Sequence, residues 1–530
     1  MQGKVKATPG NSTTPVEIAH YGHASIYIRT PTVSLVADPW FSPTGAFLST
    51  WFQYPDNTQL DLTRLRDVDY VFLSHEHQDH FDYRFLQTLS PKTKIVIPKY
   101  ADSYLRDELA EHVPKNEVIV VGNRKKFQVS PDVAFTPVVQ SVPIWDDCTL
   151  VFETPAGTVV DVNDMKINPD DLDWVKANFN IDYLFIQYSG ANWHPHVYDY
   201  THEKKVQIAR HKIQNKFHNV RKVFESSGAR WLVPCAGPPC FLDPEHFDLN
   251  FSDASIFPTV ADFYDFAARE GFADRTLILL PGDSLDLTGA DPTRANQVRL
   301  SHPAFTDKRR YLEEYQARRL DTIREELGSF EGPSESQLKA AKGYFEPLIT
   351  MAPFFREKIP GALLIETTGR FPEKILVDFK KAEDQVSAWN GEPWYYRFTM
   401  DERLFHRILT KKLSWEELFL SLRFKAARRP DEYSEHLMVF LRFANIGSLK
   451  LFERYEKRKD SIQETFTLEH EGKTLEVQKY CPHAMGDLSV GQIQDGCVVC
   501  PLHGWAFSLT DGSCAQNGSK IRLREVPKQG

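Results

Sequence analysis

The sequence predicts a layered α/β domain, then a helical middle region, then a small all-β module. Three observations carry that prediction. Strand-length, β-branched runs closed by turns recur between residues 15 and 290, and a charge-rich helical stretch fills 305–350. From about residue 464 short strands return around Gly-containing turns. At roughly 150 residues per domain, 530 residues make two to four domains. The expected boundaries are 15–300, 301–460 and 461–530.

The runs Val33-Ser34-Leu35-Val36-Ala37, Tyr70-Val71-Phe72-Leu73 and Ile95-Val96-Ile97 close on Asp38-Pro39, Ser74-His75 and Pro98-Lys99. Tyr183–Ile186, Trp231–Pro234 and Leu277–Gly282 repeat the pattern. Functional groups are therefore expected at strand ends of an α/β domain. Leu320, Ile323 and Leu327 stand at helical spacing, and Gly328-Ser329-Phe330-Glu331-Gly332-Pro333 breaks that helix. Ser414-Trp415-Glu416-Glu417 fits a capping box, opening a helix expected to run until just before Pro430. Lys308-Arg309-Arg310 and Arg428-Arg429 alternate with acids, as solvated helix faces do.

Composition removes several function classes. Lys plus Arg total 63 against 72 Asp plus Glu, a net charge of −9, without the basic footprint of a nucleic-acid binder. No run approaches the ~18 apolar residues of a membrane span, and residues 1–10 lack a signal-peptide core. A soluble, cytoplasmic protein is expected. Four of the seven cysteines fall in the last 50 residues beside histidines, which points to a metal site and away from a secreted disulfide framework.

The C-terminal module holds Cys481-Pro482-His483 and, after sixteen intervening residues, Cys500-Pro501-Leu502-His503-Gly504-Trp505. Each loop carries one thiolate and one imidazole. Two thiolates suit one iron of a 2Fe–2S cluster, and two neutral imidazoles suit the other. A Cys2His2 zinc site is the alternative, although zinc fingers usually pair like ligands at each end. With Gly486, Gly496 and Gly504 shaping tight turns, the segment resembles the Rieske ferredoxin-like module. The resemblance implies Cys481, His483, Cys500 and His503 as cluster ligands. Gly486 and Leu502 stand where respiratory Rieske proteins carry extra cysteines, so the low-potential type of oxygenases and soluble ferredoxins is expected. Cys497 and Cys514 read as packing residues.

The N-terminal signature is Ser74-His75-Glu76-His77-Gln78-Asp79-His80-Phe81-Asp82, three His and one Asp within six residues at a strand end. Such a run is a poor packing choice and a good metal cradle. His-x-His-x-Asp-His resembles the metallo-β-lactamase superfamily. Tyr21-Gly22-His23-Ala24-Ser25 and Ala37-Asp38-Pro39-Trp40 resemble its branch acting on phosphorylated and lipid-like substrates. The resemblance implies an αββα sandwich with metal between the sheets, held by His75, His77, Asp79 and His80. It implies a bridging Asp as well, for which Asp164 is favoured and Asp161 is the alternative. A third His is expected near Pro137–Ser141 and a last one near Leu232–Gly237, and neither stretch contains one. One metal held by His and carboxylate, with open positions, is what an O2-activating Fe(II) site needs. His194 and His196 follow another strand end, as substrate contacts, a distant ligand or an exposed loop pair.

Together, the two signatures resemble the CMP-N-acetylneuraminate hydroxylase family, with Pro281-Gly282-Asp283-Ser284 and Ser189–Trp193 fitting as well. In that family the Rieske module comes first; here it comes last. The resemblance implies a Rieske-type non-haem iron monooxygenase that takes O2 and a small organic substrate, a nucleotide sugar or another anionic molecule. It implies as partners a ferredoxin- or cytochrome-type electron donor and an NAD(P)H reductase. Reducing equivalents enter at the cluster, and oxygen chemistry occurs at His75, His77, Asp79 and His80. The competing expectation is a zinc-dependent hydrolase whose Rieske module senses redox state; the third is a pure electron carrier.

Overall fold

The computed structural model describes residues 16–526 except 102, 141–145, 286, 288–291, 460–462, 483–484, 502–503, 515 and 517. Strands β1 (Glu17–Gly22), β2 (Ser25–Arg29), β3 (Ser34–Ala37), β4 (Tyr70–Phe72), β5 (Lys94–Pro98) and β6 (Val118–Val121) lie side by side in chain order. The next six strands are β7 (Phe127–Gln128), β8 (Ala134–Val139), β9 (Cys148–Thr154), β10 (Gly157–Asp161), β11 (Ile181–Gln187) and β12 (Trp231–Cys235), and they form a second sheet. Strand β13 (Asp283–Ser284) returns to the free edge of β1. The first sheet changes from antiparallel to parallel at β3, and the second changes at β10.

The two sheets meet face to face over Ile26, Leu35, Phe72, Phe135, Leu150, Phe152, Phe185 and Val233. Phe72, Phe135 and Phe152 pack with ring centroids 4.6–5.4 Å apart, filling the interlayer with bulky aromatic surface. Outside the first sheet sit Leu65, Phe85 and Leu109. The helices His202–Ser227 and Val260–Arg269 cover the second. Burying both faces of both sheets produces the expected four-layered αββα sandwich.

The middle region is rich in helices, as expected, and folds them over a five-stranded sheet. Leu363–Thr368 is its central strand, parallel to Tyr396–Asp401 and antiparallel to Lys374–Val377. The helix opened by Ser414 differs from expectation. It spans only Trp415–Leu420, and Phe424–Arg428 forms an edge strand on Tyr396–Asp401. Both capping-box hydrogen bonds at Ser414 and Glu417 are present. Trp40, Trp51, Trp193 and Phe257 share one buried cluster with Phe345, Trp415 and Phe419, so the sandwich and the middle region have a common core.

The C-terminal module consists of two three-stranded sheets around Leu475, Val477, Leu488, Val498, Phe507 and Ile521. Among the described residues no helix is long and apolar enough to cross a membrane.

Candidate metal centres

Strand β4 ends at Phe72, and the chain turns through Ser74–Asp82 at the mouth of the sandwich. Two buried carboxylates hold this loop. Asp82 accepts the backbone N–H groups of Phe41 (2.8 Å), Ser42 (2.6 Å) and Phe85 (3.1 Å). Asp38 is fully buried and accepts the Ser74 N–H (2.8 Å) and hydroxyl (2.5 Å), the Asn163 amide, and His80 Nδ1–H (3.1 Å). A carboxylate on one imidazole nitrogen fixes the tautomer and turns the other nitrogen toward a metal. His80 Nε2 accordingly points inward, 3.8 Å from Asp79 Oδ2 and 3.6 Å from Asp164 Oδ1. It is buried with no hydrogen-bond partner among the described residues, as is Asp79 Oδ1.

The predicted residues come together, and they divide into two triads. His75, His77 and Asp164 form one, with His75 Nε2 2.9 Å from His77 Nδ1. Asp79 and His80 join His23 in the other, with His23 Nε2 3.1 Å from Asp79 Oδ2. The donor atoms of each triad lie within 4.8 Å of one another. The single expected centre is thus accompanied by a second donor set. His23 comes from the β1–β2 turn at a positive φ of 51°; the sequence marks it as part of the Tyr21–Ser25 motif but not as a member of the donor set. Asp147, at the start of β9, places Oδ1 3.7 Å from His75 Nδ1 and supplies a carboxylate near where a third His was expected. Asp161 is fully buried but belongs to neither triad, so Asp164 is the carboxylate that reaches the loop. A third grouping, Asp243, Glu245 and His246, already receives the Arg423 guanidinium at 2.7 Å.

Electrostatics favour a cation here. Burial disfavours a charged His80, yet Asp79, Asp164 and Asp38 outweigh it and hold the imidazole up at about 10. Burial likewise opposes charge on His77, but Glu416, Glu76 and Asp79 raise it to about 9. Burial and the neighbouring Asp164 push Asp147 well above the usual carboxylate range. A pocket whose carboxylates hold protons on adjacent histidines is one in which a divalent ion can displace those protons.

The middle region reaches this loop directly. Glu416 Oε1 lies 3.5 Å from His77 Nε2 and accepts from Arg442 at 2.6 Å, while Gln78 donates to Glu417 at 2.6 Å. His194 and His196 join neither triad. His194 lies edge-on to Tyr198, and His196 stacks on Phe257 with centroids 5.5 Å apart.

In the C-terminal module Cys481 and Cys500 are both buried, each at the start of a tight loop. The Cys481 N–H donates to the Gly486 carbonyl and the Cys481 carbonyl accepts from Met485 N–H; the Cys500 N–H donates to the Trp505 carbonyl and the Cys500 carbonyl accepts from Gly504 N–H. Two loops closing around buried thiols fit an iron–sulfur cluster. His483 and His503 lie outside the described residues. The second loop rests on the helix His202–Ser227: a Cβ on Gly504 would stand 2.6 Å from Asn215 Nδ2.

Residues 34–210 match the beta-lactamase superfamily domain, 337–458 the Rv3818-like, SCP2-like domain, and 445–527 the Rieske 2Fe-2S domain. The chain is 31% identical to a Rieske 2Fe-2S iron–sulfur protein of Mycolicibacterium smegmatis, covering 96% of this chain and 100% of that one. It is 21% identical to the cytidine monophosphate-N-acetylneuraminic acid hydroxylase of Danio rerio, over 79% of this chain and 70% of the relative. Among solved structures, the diiron beta-hydroxylase CmlA from Streptomyces venezuelae aligns at 13% identity and a TM-score of 0.36, covering 52% of this chain and 54% of that one. Fold and site define a Rieske-type oxidoreductase with a 2Fe–2S module and a β-lactamase-superfamily domain. The chain belongs to the family of the mycobacterial Rieske 2Fe-2S iron–sulfur protein.

Proposed function

We propose that the protein is an iron-dependent oxygenase. Reducing equivalents enter at Cys481, His483, Cys500 and His503 and serve oxygen chemistry at His75, His77, Asp79, His80 and Asp164. The observation that carries this reading is the seat of the second cluster loop on the helix His202–Ser227 of the sandwich. From that same helix Lys216 reaches Gln187, and Gln187 donates to Asp164 at 2.5 Å. The two candidate centres therefore share one helix as a wall. A cluster placed there supplies single electrons, and iron in the N-terminal donor set supplies O2 activation.

The chain's own residues supply the rest. Asp38 keeps His80 Nε2 free to bind metal by holding the proton on Nδ1. Glu416 on His77 and Ser74 on His75 fix two further ring orientations. His23 enlarges the donor set beyond the sequence motif, and Asp147 flanks it beside His75. The hydrolase reading survives in one respect, because two adjacent triads also suit a two-metal hydrolytic site. An electron donor of ferredoxin or cytochrome type, served by an NAD(P)H reductase, is the partner this scheme requires.

Metal analysis of wild type and Cys481→Ala separates the two readings. Wild type should carry about two irons and two acid-labile sulfides in its C-terminal module, plus further iron in the sandwich. Cys481→Ala should lose the visible absorption and keep the N-terminal iron. Zinc filling both triads would overturn the oxygenase reading in favour of the hydrolase.

A further inference from the structure

Between the N-terminal donor set and the cluster loops lies a group of lysines on and beside the helix His202–Ser227. Lys212 and Lys216 stand one turn apart on the same face of the helix His202–Ser227. Lys212 Nζ donates to the His194 carbonyl at 2.7 Å, and Lys216 Nζ donates to Gln187 Oε1 at 2.5 Å. An ammonium has three donors, and among the described residues each of these makes one side-chain hydrogen bond, to a neutral acceptor. Both side chains are half-buried, so part of each remains reachable.

Their surroundings add positive charge. Lys166, two residues after Asp164, acts on both. Arg428 also acts on Lys212, but it is itself engaged by Asp431 at 2.7 Å. Asp164 and Asp147 face Lys216 from the metal side, and Cys500 acts on Lys166 from the cluster side. Burying an ammonium is costly unless an anion or good acceptors compensate it, and grouping several raises the cost. Such an arrangement persists where the anion arrives as a ligand.

We propose that Lys212 and Lys216, with Lys166 beside them, bind an oxyanion group of the substrate, a phosphate or a carboxylate, and hold the rest of that molecule against the N-terminal donor set. Lys216 is linked to Asp164 through Gln187 alone, so an anion held there lies close to the metal-binding residues. That the anion belongs to the substrate rests on the oxygenase reading; that the site binds an oxyanion does not.

The test is calorimetric titration of the full, cluster-loaded chain with inorganic phosphate and, separately, malonate. Wild type should bind at least one of them saturably, and the one bound names the group. Lys212→Gln with Lys216→Gln should weaken binding at least tenfold while the cluster absorption stays intact. Lys212→Arg with Lys216→Arg should retain it. Lys473→Gln, which removes an exposed cation paired with Glu525, should leave it unchanged. Equal binding by wild type and the double Gln variant, as expected of an anion held by metal, would overturn the proposal. So would binding of neither anion by wild type. Retained phosphate binding in a protein that never consumes O2 would remove the oxygenase reading and leave the anion site standing.

Discussion

At the scale of single residues, the N-terminal loop shows which part of a site a sequence can reveal. His75, His77, Asp79 and His80 were legible because four ligand-type residues crowd one strand end, where packing has no use for them. His23 stood out only within the Tyr21–Ser25 motif, and its place in the donor set shows only when folding sets it 3.1 Å from Asp79. Asp147 escaped because the ligand was sought as an imidazole within Pro137–Ser141, and the residue that approaches His75 is a carboxylate beyond that stretch. His75→Ala with His77→Ala should therefore remove metal from the sandwich while the cluster spectrum stays unchanged, as read by metal analysis and visible absorption. Lys212 offers a second measurement. Burial, then Lys166 and Arg428, lower its ammonium from 10.5 to about 7. Between those two values the unfolded chain holds the extra proton, so Lys212 lowers stability fully below pH 7 and not at all above about pH 10.5. Lys212→Met should raise the melting temperature at pH 6, with the gain shrinking steadily toward pH 10. A constant gain across that range would contradict the assignment.

At the scale of elements, local signals were reliable where nothing competed with them. The helix Lys308–Gly328 ends at the Gly328–Pro333 break as its sequence demands. The capping box at Ser414 starts a helix as it should, but the expected run toward Pro430 stops at Leu420. Ala426 and Ala427 favour helix in isolation. Pairing of Phe424–Arg428 with Tyr396–Asp401 wins because it buries Phe424, Ala426 and Ala427 against the middle-region core. That short helix is also what brings Glu416 to His77 and Glu417 to Gln78. Removing the cap with Ser414→Ala should cost about 1 kcal/mol in chemical denaturation. It should also weaken metal retention in the sandwich, since the helix that holds Glu416 against the loop frays at its first turn. Loss of stability with unchanged metal retention would show that Glu416 does not support the site.

At the scale of the whole molecule, the αββα sandwich and the C-terminal module were legible because each carries a dense motif on a simple pattern of strands. The five-stranded sheet of the middle region was not, because its strands mix with short helices and carry no dense cluster of ligand-type residues. What no linear reading supplies is the junction. Gly504 meets Asn215, and the helix that receives it also presents Lys212 and Lys216 beside the N-terminal donor set. Glycine suits that contact, since φ is +71° and a Cβ would press on the Asn215 side-chain amide. The central claim is that the two centres work as one redox unit. Its most direct test is stopped-flow reoxidation of the dithionite-reduced cluster by O2, comparing wild type with His75→Ala plus His77→Ala. If electrons leave the cluster through the N-terminal metal, the variant should reoxidise at least tenfold more slowly, with its cluster spectrum intact. Equal rates in the two proteins would contradict the account.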